Sequence, residues 1–155
     1  MKGTYTIIVD CKSAGYCTFG SLGRTQLLKG RYLYTGSALG SGATPLERRL
    51  KRHRKHSKAK RWHIDYLTSN RGCKVISEIF VASSKRLECA ANQSISRDLN
   101  LMPLLPKIGS SDCKCKGHLL GPQLHSSKEN LVKHVVAAYV HIGLRRSSII
   151  VRDLD

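Results

Sequence analysis

At 155 residues and 41% apolar content the chain fits one folded domain with a real core, which excludes a disordered basic tail. Its charge is less ordinary: 27 Lys+Arg against 10 Asp+Glu leave a formal +17, a surplus that repels itself unless a polyanion shares it. The longest apolar runs, "TIIV" and "LVKHVVAAYVHI", are too short or too interrupted to cross a bilayer, so nucleic acid leads over membrane as the partner.

In chain order, "TYTIIVD" (Thr4–Asp10) is rich in β-branched and aromatic residues and predicts a buried strand. "KSAG" is a turn signal, and "YCTFGSLG" predicts a second, glycine-interrupted strand. "RYLYTG" predicts a third that ends at Gly36, with Tyr32 and Tyr34 on one face. Thr44, Pro45 and Glu47 supply an N-cap, a first-turn proline and a capping glutamate, so a helix is expected from Pro45 to about Ser57. "KVISEIFVA" predicts a fourth strand over Lys74–Ala82, with Val75, Ser77, Ile79 and Val81 facing one way. Ser83 and Ser84 offer a cap for a helix over Lys85–Ile95, and Ser126 with Glu129 another for "KENLVKHVVAAYVHIG", closed by Gly143. The tail around "SIIV" reads as a short strand. Strands first, then helices interleaved with one more strand, predict a small α/β sandwich. The domain is expected over 1–120, with 121–155 as a C-terminal helical extension and tail.

On the first helix Leu46, Arg49, Leu50 and His53 share one stripe at i, i+3, i+4 and i+7. An arginine on a core-facing stripe needs an anionic partner or a polar cleft, unless it snorkels to solvent at the sheet edge. Between Arg48 and Arg61, nine of fourteen residues are Lys or Arg, with no acid among them. That density favours contact with a phosphate backbone over a solvated helix face, through Arg48, Lys51, Arg52, Arg54, Lys55, Lys58, Lys60 and Arg61. Trp62 adds an aromatic platform. Glu88 is the single acid between Glu78 and Asp98 and borders the apolar stripe of its helix.

"GTY" (Gly3–Tyr5), "YTG" (Tyr34–Gly36), a helix carrying Arg49 and His53, and Glu88 on a later helix form an ordered set. In that order and spacing the chain resembles the GIY-YIG nuclease superfamily, over about residues 1–95. "WHIDYL" and "GSSDCKCKGHL" make it similar to a mainly archaeal branch and extend the likeness to about residue 120. The resemblance implies a mostly antiparallel sheet flanked by helices, with the tyrosine motifs on adjacent strands. It implies metal-dependent hydrolysis of a DNA phosphodiester, structure-specific or serving repair or recombination. By motif, Tyr5 and Tyr34 meet at the cleft and one phenol is general base; Tyr34, beside its glycine, is expected to reach the water and Tyr32 to pack. Arg49 holds the scissile phosphate, and His53 bonds that phosphate or passes a proton. Glu88 is the sole protein ligand of one Mg²⁺ or Mn²⁺ per site. Ser37 stands where some members carry a lysine.

Asp112, Cys113, Cys115 and His118 form a second cluster. Cys-x-Cys-x-x-His supplies three zinc ligands at loop spacing, and a fourth would have to come from Cys11, Cys17, Cys73 or Cys89. A polar loop near the cleft, in which Ser110, Ser111 and Asp112 place DNA or a water, is preferred over zinc. His63 and Asp65 share a face if their segment is extended, or else bond within the fold. An aspartate soon after four apolar residues argues against a signal peptide, so a cytoplasmic, nucleoid-associated protein with mostly reduced cysteines is expected. The competing reading is a non-catalytic nucleic-acid-binding module; a weaker one has 126–143 dock a protein partner, with the oligomeric state open.

Overall fold

The computed structural model describes residues 1–40, 45–110 and 113–154. Five antiparallel strands form the central sheet in the order β6-β4-β1-β5-β7. Its middle is β1 (Gly3–Cys11), flanked by β4 (Gly30–Ala38) and β5 (Cys73–Ala82). β6 (Leu119–Gln123) and β7 (Ile149–Asp153) close the two edges. The expected boundary near residue 120 thus falls inside an edge strand, and the chain beyond it supplies strands and a helix to the same body. β2 (Gly15–Thr18) and β3 (Arg24–Leu27) make a separate small hairpin.

Two apolar layers sandwich the sheet. Tyr5, Ile7 and Val9 of β1 point to one side, where they meet Leu46 and Leu50 of α1 (Pro45–Arg54), Leu67 of α2 (Asp65–Thr68) and the hairpin. Ile8 and Leu33 point to the other side, against Ala91 and Ile95 of α3 (Glu88–Leu99) and Leu131 and Val135 of α4 (Lys128–His141). The apolar stripe of 126–143 is therefore buried in this layer. A buried chain of hydroxyls, Tyr139–Thr6–Thr35, ties α4 to β1 and β4 at 2.8 and 2.9 Å. Paired neighbours Cys11 and Cys73 form a disulfide between β1 and β5, and Cys17, Cys89, Cys113 and Cys115 are free thiols. No described helix is long and apolar enough to cross a membrane.

Several boundaries differ from the pattern-based expectation, each for a local reason. The alternation along β5 breaks at a bulge opposite Ile8 and Val9, so Val75 shares the layer of Phe80 rather than that of Ile79 and Val81. α1 stops at Arg54, where the Lys58 ammonium donates to the carbonyls of Arg52 and His53 at the helix end. The expected capping threonine, Thr44, lies outside the described residues. α3 starts at Glu88 rather than Lys85, since the Ser83 hydroxyl accepts the Lys85 N–H and closes a turn of its own. Ser127, not Ser126, caps α4 by accepting the Asn130 N–H.

Candidate active site

Tyr5 on β1 and Tyr34 on β4 point into the α1 layer with ring centroids 6.4 Å apart. From α1, His53 packs against both, 5.4 Å from the Tyr5 ring and 5.9 Å from that of Tyr34. Tyr5 Oη and His53 Nε2 share a hydrogen bond of 2.8 Å, its direction following the imidazole tautomer. Gly36 makes this possible: a Cβ there would stand 2.6 Å from the Tyr5 hydroxyl and 3.2 Å from the Tyr34 ring. The glycine of the second tyrosine motif is thus required by the first tyrosine. Gly109, at φ +74°, packs against the other side of Tyr34, where a Cβ would meet Cε1 at 2.9 Å.

The two phenols differ in access. Tyr5 is 1% exposed and its pKa is pushed well above that of an ordinary phenol, chiefly by burial and then by the neighbouring Tyr34, against the pull of Arg49. Tyr34 lines an open polar cleft of about 600 Å³ together with Gly36, Arg49, Arg61, Trp62, His63, Arg86, Glu88 and Gly109. His53 is 1% exposed, and burial followed by the charge of Lys58 pushes its pKa down to about 3, so it is a neutral imidazole near pH 7.

Arg49 stands one turn before His53 on the same stripe and turns its guanidinium into the cleft. One N–H donates to the Ser37 carbonyl of β4, and the indole of Trp62 backs the guanidinium at 4.4 Å. Glu88, in the first turn of α3, lines the opposite wall, with a 14% exposed side chain 3.9 Å from His118 Nδ1. Tyr34, Arg49 and Glu88 therefore converge from β4, α1 and α3 on one cavity. Its donor set suits a hard cation: one carboxylate on a polar wall with room for water.

A second hollow of about 660 Å³ adjoins the first, sharing Gly40, Arg49, Arg61 and Trp62. Arg48, Lys51, Lys55 and Arg61 line it and form one basic surface with the cleft. The rest of the basic run is engaged elsewhere. Arg54 lies 3.1 Å from the buried Glu78 of β5. Arg52 also borders the hollow, but its guanidinium binds Asp65 at 2.6 Å and covers Trp62 from 4.9 Å. Lys58 also borders it and turns its ammonium inward to Thr68, where burial lowers its pKa to about 8. Lys60 sits over the Tyr66 ring.

His63 and Asp65 part company because their segment is a turn leading into α2, not an extended strand. His63 lines the cleft, whereas Asp65 is fully buried and accepts the N–H groups of Arg61 and Trp62 at 2.8 and 3.0 Å. Burial pushes the Asp65 carboxyl up, but those N–H groups and Arg52 outweigh it and hold the pKa below the usual range. Asp65 thus anchors the turn that presents Trp62 to Arg49. Ser110, expected near DNA or water, is fully buried; Ser111 and Asp112 lie outside the described residues.

Cys113, Cys115 and His118 gather with Cys89, and their ligand atoms all lie within 4.8 Å of one another. Of the four cysteines left open as a fourth member, the fold selects Cys89. Arg86 and Gly109 of the cleft carried no distinguishing sequence signal: one is an arginine among many, the other a loop glycine. A family model described as a domain of unknown function, DUF123, matches residues 4–141. No curated protein and no solved structure matches the chain.

Proposed function

The chain belongs to the DUF123 family, and from the cleft its residues build we propose that it is a metal-dependent endonuclease that hydrolyses a phosphodiester bond of DNA. The observation carrying this reading is the convergence of a phenol, a guanidinium and a carboxylate (Tyr34, Arg49 and Glu88) on one polar cleft that opens into a basic hollow. The likeness to GIY-YIG nucleases gives those residues the same tasks. A neutral substrate leaves unexplained a guanidinium held at a cleft wall beside a surface of this charge.

Arg49 binds the scissile phosphate. Its fork is pinned by the Ser37 carbonyl and the Trp62 face, so little side-chain entropy is lost when an anion docks, and its charge opposes the negative charge that grows in the transition state. Tyr34 is the phenol with access to the attacking water. An ordinary phenol is a poor base at neutral pH and needs a cation beside it, and Arg49 lines the same cleft. Tyr5 and His53 act through position: their hydrogen bond locks α1 against β1, which fixes where Arg49 stands on the preceding turn. Glu88 would hold a Mg²⁺ or Mn²⁺ ion, because such ions keep most of their waters and need only one or two carboxylates. When bound, that ion polarises a phosphoryl oxygen and stabilises the leaving one. Arg48, Lys51, Lys55 and Arg61 hold the neighbouring backbone without reading sequence.

Nicking of supercoiled plasmid and of branched oligonucleotides with Mn²⁺ tests the reading. The wild type is expected to cut, and Glu88→Gln and Tyr34→Phe to lose roughly 10²-fold or more. Equal residual cleavage in wild type and Glu88→Gln overturns it, and DNA binding without cleavage in every form points to a pure binding module.

A further inference from the structure

We propose that Cys89, Cys113, Cys115 and His118 bind one zinc ion in a tetrahedral site that fastens the loop before β6 to the first turn of α3. The inference is independent of what the cleft does, because none of the four residues lines it.

Geometry carries it. The Sγ atoms of Cys89 and Cys113 each lie 3.7 Å from His118 Nε2, and all four ligand atoms fall within 4.8 Å of one another. With Zn–S about 2.3 Å and Zn–N about 2.0–2.1 Å, the edges of a tetrahedral site are about 3.6–3.8 Å. The observed spacing therefore leaves room for one ion at the centre and none for an iron–sulfur cluster. A disulfide would join two of the sulfurs and leave the third thiol beside the imidazole, with no reason for all four groups to face one point. The donor set of three thiols and an imidazole is one that zinc prefers and that magnesium and calcium avoid.

The surroundings fit the same ion. His118 is fully buried, and its backbone N–H donates to the Ile108 carbonyl at 2.7 Å, which aims the ring. Its Nε2 faces the sulfurs while Nδ1 faces the Glu88 carboxylate across 3.9 Å, the orientation found where a carboxylate supports a metal-bound histidine. The Gln93 side chain donates to Cys115 Sγ at 3.6 Å, and the Asn92 side chain to the Gly117 carbonyl at 3.0 Å, so the second turn of α3 grips the loop beside the ligands. Binding releases one proton from each of the three thiols to solvent and gives a site of net charge −1, which Lys114 and Lys116 between the ligands offset. The same loop carries Ile108 into the core and Gly109 against Tyr34, so the ion would set one wall of the cleft from behind.

The test is the metal content of full-length protein purified without chelator and dialysed. One equivalent of zinc per chain is expected, with loss to background in Cys89→Ser and Cys115→Ser and full retention in Cys17→Ala. Cobalt(II) added to the stripped wild type should give the intense visible bands of a tetrahedral thiolate site. Wild-type protein that binds neither zinc nor cobalt, that carries iron, or that shows a disulfide among Cys89, Cys113 and Cys115 by mass spectrometry overturns the proposal. So does full zinc in Cys89→Ser. Because the wild-type stoichiometry decides on its own, misfolding of a variant leaves the proposal exposed.

Discussion

Helix α1 sends arginines to two places that treat charge differently. Toward β5, Arg54 lies 3.1 Å from Glu78, a fully buried carboxylate that Arg152 of β7 also reaches at 3.0 Å, and Arg152 goes on to Glu47 at 3.0 Å. Toward β4, Arg49 meets a carbonyl and an indole, and among the described residues it forms no ion pair. The first region is closed: each charge has its counter-charge inside the fold. The second holds its guanidinium in place without neutralising it, which leaves the attraction for an anion from outside. Five residues apart in one basic run, two arginines thus differ in role because of which carboxylates the sheet brings to them.

If the Arg54 side is structural, breaking it should cost folding. Arg54→Ala leaves Glu78 buried with Arg152 as its remaining partner, and a loss of about 2–3 kcal/mol is expected, or roughly 5–10 °C in a thermal melt. A melt unchanged to within a degree would show that Arg152 alone suffices and that the comparison is too sharply drawn.

On the cleft side the expected signature is in pH. The unfolded His53 titrates near 6.5 and the folded one near 3, so between those values the unfolded chain binds more protons. Stability should therefore fall as the pH drops from about 6.5 toward about 3. His53→Gln should lose less than wild type across that window in urea titrations at pH 7, 5 and 4. Parallel curves for the two proteins would mean that His53 does not stay neutral in the fold. The smallest effect is in salt. Arg48→Glu and Lys55→Glu should each flatten the log–log dependence of DNA affinity on salt by about 0.9 per lost phosphate contact, while Arg54→Glu should leave it unchanged. An equal response from all three would spread the DNA surface around the whole helix.

How much of this the sequence disclosed follows from the range of the interactions. β1, β4 and β5 were legible because buried strands concentrate β-branched and aromatic residues, and α1 because its capping pattern is local. β6 was not: "LLGPQ" reads as a break, and its proline is tolerated because the strand lies at the sheet edge. The stripe of Leu46, Arg49, Leu50 and His53 located the cleft side of α1, since the helical period alone sets it. Sorting the basic run was out of reach, because the partners that occupy Arg52 and Arg54 are Asp65 and Glu78, brought near only by the fold. Cys89 had the same obstacle: spacing brings Cys113, Cys115 and His118 together, but the cysteine that joins them sits on another element.

The most direct test of the central claim sets Arg49→Ala against Arg54→Ala in Mn²⁺-dependent single-turnover nicking of one plasmid, at a temperature where both variants are folded. Cleavage should fall by about 10²–10³-fold in Arg49→Ala with its melting temperature unchanged, and persist in Arg54→Ala despite its lower one. Loss of cleavage in both variants in proportion to their loss of stability, or in neither, would contradict the account.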